Sequence, residues 1–202
     1  MSFYFLLAFG SLLRNKFVYS AIFFGLAALT KNDAFPALAG FCLLWPIYKI
    51  WINKKLPKLA FVVAILFFLF IVLWKLYFDL NSRYLQTNII SLLHDKPFLK
   101  YTRYSLNAFR EEFRFVQYWG VGFFVIFFYL ATGFKKIMKN KMFLFCAILF
   151  VIQFMSYIYI YYVTPENQAS QIATSIYRLV LQLYPSLLLF SFSVYKFKKI
   201  DH

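Results

Sequence analysis

Charge is what this sequence has least of. Charged residues fill 14% of its 202 positions, where a soluble domain carries nearer about 25%. Hydrophobic residues fill 63%, and Phe alone occupies 29 positions. No soluble domain of this size has an interior able to hide that much apolar surface, so a soluble fold is excluded. Acids are scarcer still, seven against 22 Lys and Arg, which leaves a net charge of +15. That excess does not point to nucleic acid. The basic residues cluster in short loops between apolar runs, and no DNA- or RNA-binding motif accompanies them. Cysteine is almost absent. Cys42 and Cys146 both lie inside apolar runs and read as small buried apolar side chains, with no disulfide framework or metal-ligand spacing. His94 and His202 stand outside any ligand cluster. No metal site or cofactor is therefore expected; a divalent metal is compatible with an acid such as Asp33 but not indicated. The alternation of a membrane β-barrel is missing, as are internal repeats and low-complexity linkers.

What is present is a series of continuous apolar runs. They predict an all-α, polytopic helical membrane bundle with about six to seven transmembrane spans, forming a single membrane domain over residues 1–202. Ser2 to Leu13 is apolar but covers only about 18 Å of a hydrocarbon core roughly 30 Å thick. It is no signal peptide, because no positive region precedes it and Arg14 and Lys16 follow it. It reads as the second half of a span.

The next run, Phe17 to Thr30, ends at Lys31-Asn32-Asp33. Asn32 or Asp33 is expected to cap the following helix, with Pro36 in its first turn and an end near Trp51. Lys49, Lys54, Lys55 and Lys58 form a basic loop, and Leu59 to Phe78 is a span. A mixed segment occupies 79–115. Val116 to Phe134 is a span, followed by a second basic loop with Lys135, Lys136, Lys139 and Lys141. Met142 to Val163 is a span, 164–178 is polar, and Leu179 to Tyr195 is the last span.

Charge orients these spans. The loops 14–16, 49–58 and 135–141 and the tail 196–202 hold two, four, four and three basic residues, thirteen of the 22, and one acid, Asp201. By the positive-inside rule these lie on the cytoplasmic side. The Lys31 break and segments 79–115 and 164–178 then face outward. This requires residues 17–51 to form a hairpin.

Three outward elements carry chemistry. Lys31 can hold a phosphate as a point charge, and Asp33 can pair with it or orient a hydroxyl. A tight structural turn is the alternative. From Leu99 to Phe113, Leu106, Phe109 and the two ends share one helical stripe flanked by Arg103, Arg110 and Arg114. Such a helix lies in the interface with its arginines at lipid phosphates, or is a plain surface helix. Arg178 stands where 164–178 re-enters the membrane. It needs an anionic partner unless it snorkels, and Glu166 is an acid of the same rim.

The stretch Gly25-Leu26-Ala27-Ala28-Leu29-Thr30-Lys31-Asn32-Asp33 resembles the G-L-A-A-L-T-K-N-E-G signature of bacterial polytopic glycosyltransferases of the GT-C superfamily. Thr164-Pro165, Ala173-Thr174-Ser175, Arg178-Leu179, Gln182-Leu183 and Pro185 resemble a late segment of the same proteins. Asp33 stands where Glu is usual, Ala34 where Gly is, and Ser170-Gln171 where Trp-His is. The resemblance covers the C-terminal part of such an enzyme. It implies sugar transfer from a polyprenyl-phosphate donor to an acceptor at the outer face of a bacterial inner membrane. It also implies partners among membrane lipids and a lipid-linked sugar, and a separately encoded or upstream N-terminal half carrying the catalytic acid, so that this chain is expected to be incomplete and inactive alone. Asp33 is the best local candidate for a base; Lys31, Arg178, Arg103, Arg110 and Arg114 are candidates for binding the phosphate. The rival readings are a transporter or channel subunit and a non-catalytic membrane scaffold.

Overall fold

The structure is a computed structural model. It describes residues 1–31, 34–52, 58–77, 103, 106–107, 110, 121–163 and 168–196. Apart from short turns these residues are helical, with no strand among them. Among the described residues seven helices have defined bounds, in order: α1 (Ser2–Leu13), α2 (Phe17–Thr30), α3 (Phe35–Trp51), α4 (Lys58–Tyr77), α5 (Gly122–Lys139), α6 (Lys141–Val163) and α7 (Gln168–Lys196).

The turn from α1 to α2 is set by backbone chemistry. Asn15 adopts a left-handed φ of 59°. Its N–H donates to Leu12 C=O at 2.9 Å, and the Lys16 N–H donates to Ser11 C=O at 2.9 Å. Those two bonds make a Schellman motif, which satisfies the last carbonyls of α1 and reverses the chain. Across the hairpin, buried Ser20 Oγ donates to Ala8 C=O at 2.9 Å.

α2 ends where Lys31 turns extended, at φ −157° and ψ 132°. Its neighbour Thr30 donates its hydroxyl to Ala27 C=O at 2.7 Å. The Ala34 N–H donates to Lys31 C=O at 3.1 Å and closes the connection. A cap is expected from Asn32 or Asp33. Both residues lie outside the described residues, and the N-cap position is Ala34, with no side-chain bond and Pro36 in the first turn. Proline presets the helical φ and has no N–H to satisfy, so it suits this first turn.

Aromatic contacts fix the pairing. Phe17 stacks on Trp45 at 5.4 Å and Phe24 lies 5.5 Å from Phe41, so α2 and α3 run antiparallel and residues 17–51 form a hairpin. Phe35 meets Phe68, and Trp45 meets Phe61, which lays α4 antiparallel to α3. Tyr48 stacks on Phe145 and brings α6 against α3. The centre of the bundle is Phe9, stacked on Phe150 at 4.0 Å and edge-on to Phe24 at 5.3 Å. Phe150 continues to Phe190 of α7. Gly25 lets α4 come close: a Cβ there would enter the Phe67 ring.

Two boundaries differ from the sequence reading. Lys135, Lys136 and Lys139 belong to the last turns of α5, and a single residue, Asn140, separates α5 from α6. Lysine is a good helix former, and cations suit a helix C-terminus. Asn140 Oδ1 accepts the N–H groups of Met142 at 2.9 Å and Phe143 at 3.3 Å, the action of an N-cap. The polar stretch after Thr164 is also helical from Gln168 onward, so α7 has 29 residues and begins well before Leu179. Polar composition marks a solvated helix as readily as a loop, and no Gly or Pro interrupts 168–184.

Two described stretches are long and apolar enough to cross a membrane: Lys141–Tyr159, with mean hydropathy 2.1, and Arg178–Tyr195, with 1.2. Ser2–Leu13, Phe17–Thr30, Phe35–Trp51 and Phe61–Leu73 are apolar but shorter. Large apolar side chains also face outward. Leu43 is 71% exposed, and Leu59, Phe124 and Phe128 are more than half exposed.

Candidate functional site

Each basic loop end has a fixed place, and together they define one end of the bundle. The Lys141 ammonium donates to Trp51 C=O at 3.0 Å and lies 4.9 Å from the Trp51 ring. That joins the start of α6 to the end of α3. The Lys136 ammonium donates to Val194 C=O at 2.6 Å and joins the ends of α5 and α7. A cavity of about 270 Å³ is lined by Leu13, Asn15, Tyr48, Ile52, Asn140 and Lys141, so the α1–α2 turn shares this end. Lys49 is a correction. It is not a loop residue but sits in the last turn of α3, only 5% exposed, with its ammonium 3.9 Å from the centre of the Phe17 ring. The ring face attracts the cation, and the side-chain stem packs.

A groove of about 780 Å³ opens at this same end between α1, α2 and α7. Its walls include Leu6, Leu7, Phe23 and Leu189, and its rim is Arg14, Asn15 and Lys16.

The expected phosphate-binding residues lie elsewhere. Lys31 is exposed at the far end of α2. That helix has 14 residues, so Lys31 is about 21 Å from the basic turn. Arg178 is exposed on α7, sixteen residues before Val194 and so about 24 Å along its helix from the basic end. The two cations have similar depth. They belong to different helices, and α1 packs against both. Arg103 and Arg110 are helical and exposed. Asp33, Arg114 and Glu166 lie outside the described residues, as do all seven acids of the chain and most of segment 79–115. Among the described residues no group of three or more His, Cys, Asp or Glu could hold a metal ion.

The stretch 25–33 divides in two. Gly25, Ala27 and Ala28 are packing residues, with Ala27 fully buried. Thr30 and Lys31 reach the surface. The late segment also turns inward after Arg178. Leu179, Gln182 and Leu183 are buried, and Tyr157 of α6 donates its hydroxyl to Gln182 Oε1 at 3.2 Å. Gln153 and Ser186 are fully buried one turn away on the same two helices. Sequence reasoning missed this polar cluster between α6 and α7. Its signal was an uncharged Gln inside the apolar run 142–163, which the rule applied to Lys31 also covers.

No protein-family model matches this sequence, no curated protein is similar to it, and no solved structure matches its fold.

Proposed function

We propose that this chain is a multi-pass protein of a bacterial inner membrane, and that it holds the phosphate of a lipid-linked sugar between Lys31 and Arg178. The outward Leu and Phe side chains of α3, α4 and α5 support membrane embedding. Isolated apolar residues on a surface are ordinary, but continuous apolar faces need lipid or protein around them.

One observation carries the phosphate reading: the depth of the two cations. With the basic end at one interface, Lys31 and Arg178 stand about 21 and 24 Å into a hydrocarbon core of about 30 Å. Cations below the opposite interface are costly and are kept with anions or carbonyls. Broken backbone at that depth is tolerated where it borders protein or a wet recess. The 31–34 connection therefore suits a polar recess open to the outer face. A sugar phosphate presented there would place its negative charge against the two cations. In transfer, the acceptor hydroxyl attacks the anomeric carbon, the carbon–oxygen bond to phosphate breaks, and the polyprenyl phosphate leaves with added charge that cations stabilise. A carboxylate takes the hydroxyl proton, and Asp33 is the acid nearest in sequence.

The burial of Gly25, Ala27 and Ala28 favours a second reading. These residues are explained by helix packing alone, as in a non-catalytic membrane scaffold. Binding of polyprenyl phosphate by the detergent-purified chain separates the two. On the first reading Lys31→Gln and Arg178→Gln each weaken binding about tenfold, the equivalent of about 1.4 kcal/mol, with unchanged helical circular dichroism. Folded wild-type protein that binds no polyprenyl phosphate, or binding indifferent to both substitutions, rejects it.

A further inference from the structure

We infer that the groove between α1, α2 and α7 seats an anionic phospholipid of the leaflet at the basic end, its phosphate between Arg14 and Lys16 and one acyl chain along Leu6, Leu7 and Leu189. The inference rests on the membrane reading but not on the sugar-phosphate reading.

Small residues, Gly10 and Ser11, line the groove, and Leu189 of α7 stands within van der Waals reach of Gly10 as the opposite wall. From Leu13 down to Leu6 the groove follows α1 for about 10 Å, which stays within one leaflet of a core about 30 Å thick. Its volume, about 780 Å³, falls among the roughly 300–1,000 Å³ of ligand clefts.

The rim supplies the charge. Arg14 and Lys16 flank Asn15 in the Schellman turn, where main-chain hydrogen bonds fix the geometry. Both are exposed. Arginine can take two phosphate oxygens at once, and lysine adds a point charge. Tyr19 lines the same rim with its ring more than half exposed, 5.9 Å from the Lys16 ammonium. Tyrosine favours this headgroup level. Among the described residues no Asp or Glu lines the groove, so a lipid carrying its own ammonium meets like charge at the described rim. An anionic headgroup is therefore selected over a zwitterionic one.

The test is lipid retention by the full chain, measured by native mass spectrometry after exchange into detergent with phosphatidylglycerol or phosphatidylcholine. Wild type should retain phosphatidylglycerol preferentially. Arg14→Gln/Lys16→Gln should reduce that retention about thirty-fold, near fivefold for each cation at a lipid surface. Lys135→Gln/Lys139→Gln removes equal charge from exposed positions on α5 at the same end and should leave retention unchanged. Ser193 of α7 also lines the groove; Ser193→Phe fills it without altering charge and should also expel the lipid, and it decides the matter if the first double variant does not fold. Equal loss in both double variants reduces the effect to general surface charge and overturns the proposal. So does equal retention of the two lipids, or full retention in Ser193→Phe.

Discussion

Asn15 holds a left-handed φ of 59°, unique among the described non-glycine residues. A side chain at that conformation costs about 1–2 kcal/mol unless it is Gly or, in part, Asn or Asp. Asn15→Gly should therefore stay within about 1 kcal/mol of wild type, since relief of the Cβ is offset by unfolded-chain entropy. Asn15→Val should lose about 2 kcal/mol. Reversible unfolding in mixed micelles measures both, and equal stability of the two variants would contradict the turn geometry. Phe9 makes a different kind of contribution. It is fully buried between Phe24 and Phe150. Phe9→Ala should cost about 3–5 kcal/mol through the cavity left behind, read in the same unfolding experiment. At this scale the sequence exposed Lys31, because a charge breaks an apolar run visibly. Gln153 and Ser186 are just as polar at depth, yet they vanish into the average hydropathy of their neighbours. Nor does the sequence say that Phe9, among 29 Phe residues, is the one between three helices. Aromatic identity is legible there, and aromatic position is not.

Elements were legible where apolar runs are long and less so where lysines gather. The runs beginning at Ser2, Phe17 and Leu59 anticipate α1, α2 and α4 within a residue or so at the start. The lysines near 135–139 suggested a loop, but they finish a helix, and the connection shrinks to Asn140. Hydropathy reports the solvent a residue prefers, while helix ends are decided by caps and by backbone donors. Asn140 is such a cap, and its Oδ1 serves two N–H groups of α6. Asn140→Ala should cost about 1 kcal/mol, and Asn140→Asp should be nearly neutral. Unfolding of the α5–α6 region followed by hydrogen exchange would check this, with fraying confined to the start of α6. Between elements, Gly25 sets the distance of α2 from α4. Gly25→Leu should push Phe67 aside, part the two helices and lower stability by about 1–3 kcal/mol. Gly25→Ala, with a smaller intrusion and better helix propensity, should lose less. Equal losses in the two variants would show that the contact with Phe67 does not limit packing.

For the whole molecule, sidedness is the property that function needs. The charge count groups four basic segments on one side. The Lys141–Trp51 and Lys136–Val194 contacts and the shared cavity at Asn15 gather their ends at one end of the bundle. In a background lacking Cys42 and Cys146, Met138→Cys and Gln168→Cys should label from opposite faces of a membrane vesicle. Labelling of both from one face would reverse the assignment of Lys31 and Arg178 to the outer side. The helix pairing itself was only partly legible. Short connections predict antiparallel neighbours, and α2 with α3 obeys. The placement of α1 against α7 depends on contacts such as Gly10 with Leu189, which no local pattern announces.

That last pairing has a consequence for biosynthesis. Gly10 and Leu189 are about 180 positions apart along the chain. A ribosome adding roughly 5–20 residues per second needs about 10–35 seconds to travel between them. On the membrane reading proposed above, α1 and α2 wait in the bilayer for that interval with the flank that will meet α7 uncovered. Lipid can enter that flank sideways while the third wall of the groove is still unmade. The lipid proposed for the groove would then be enclosed as the groove forms, and a tightly held one would persist through purification because it was never required to thread its way in.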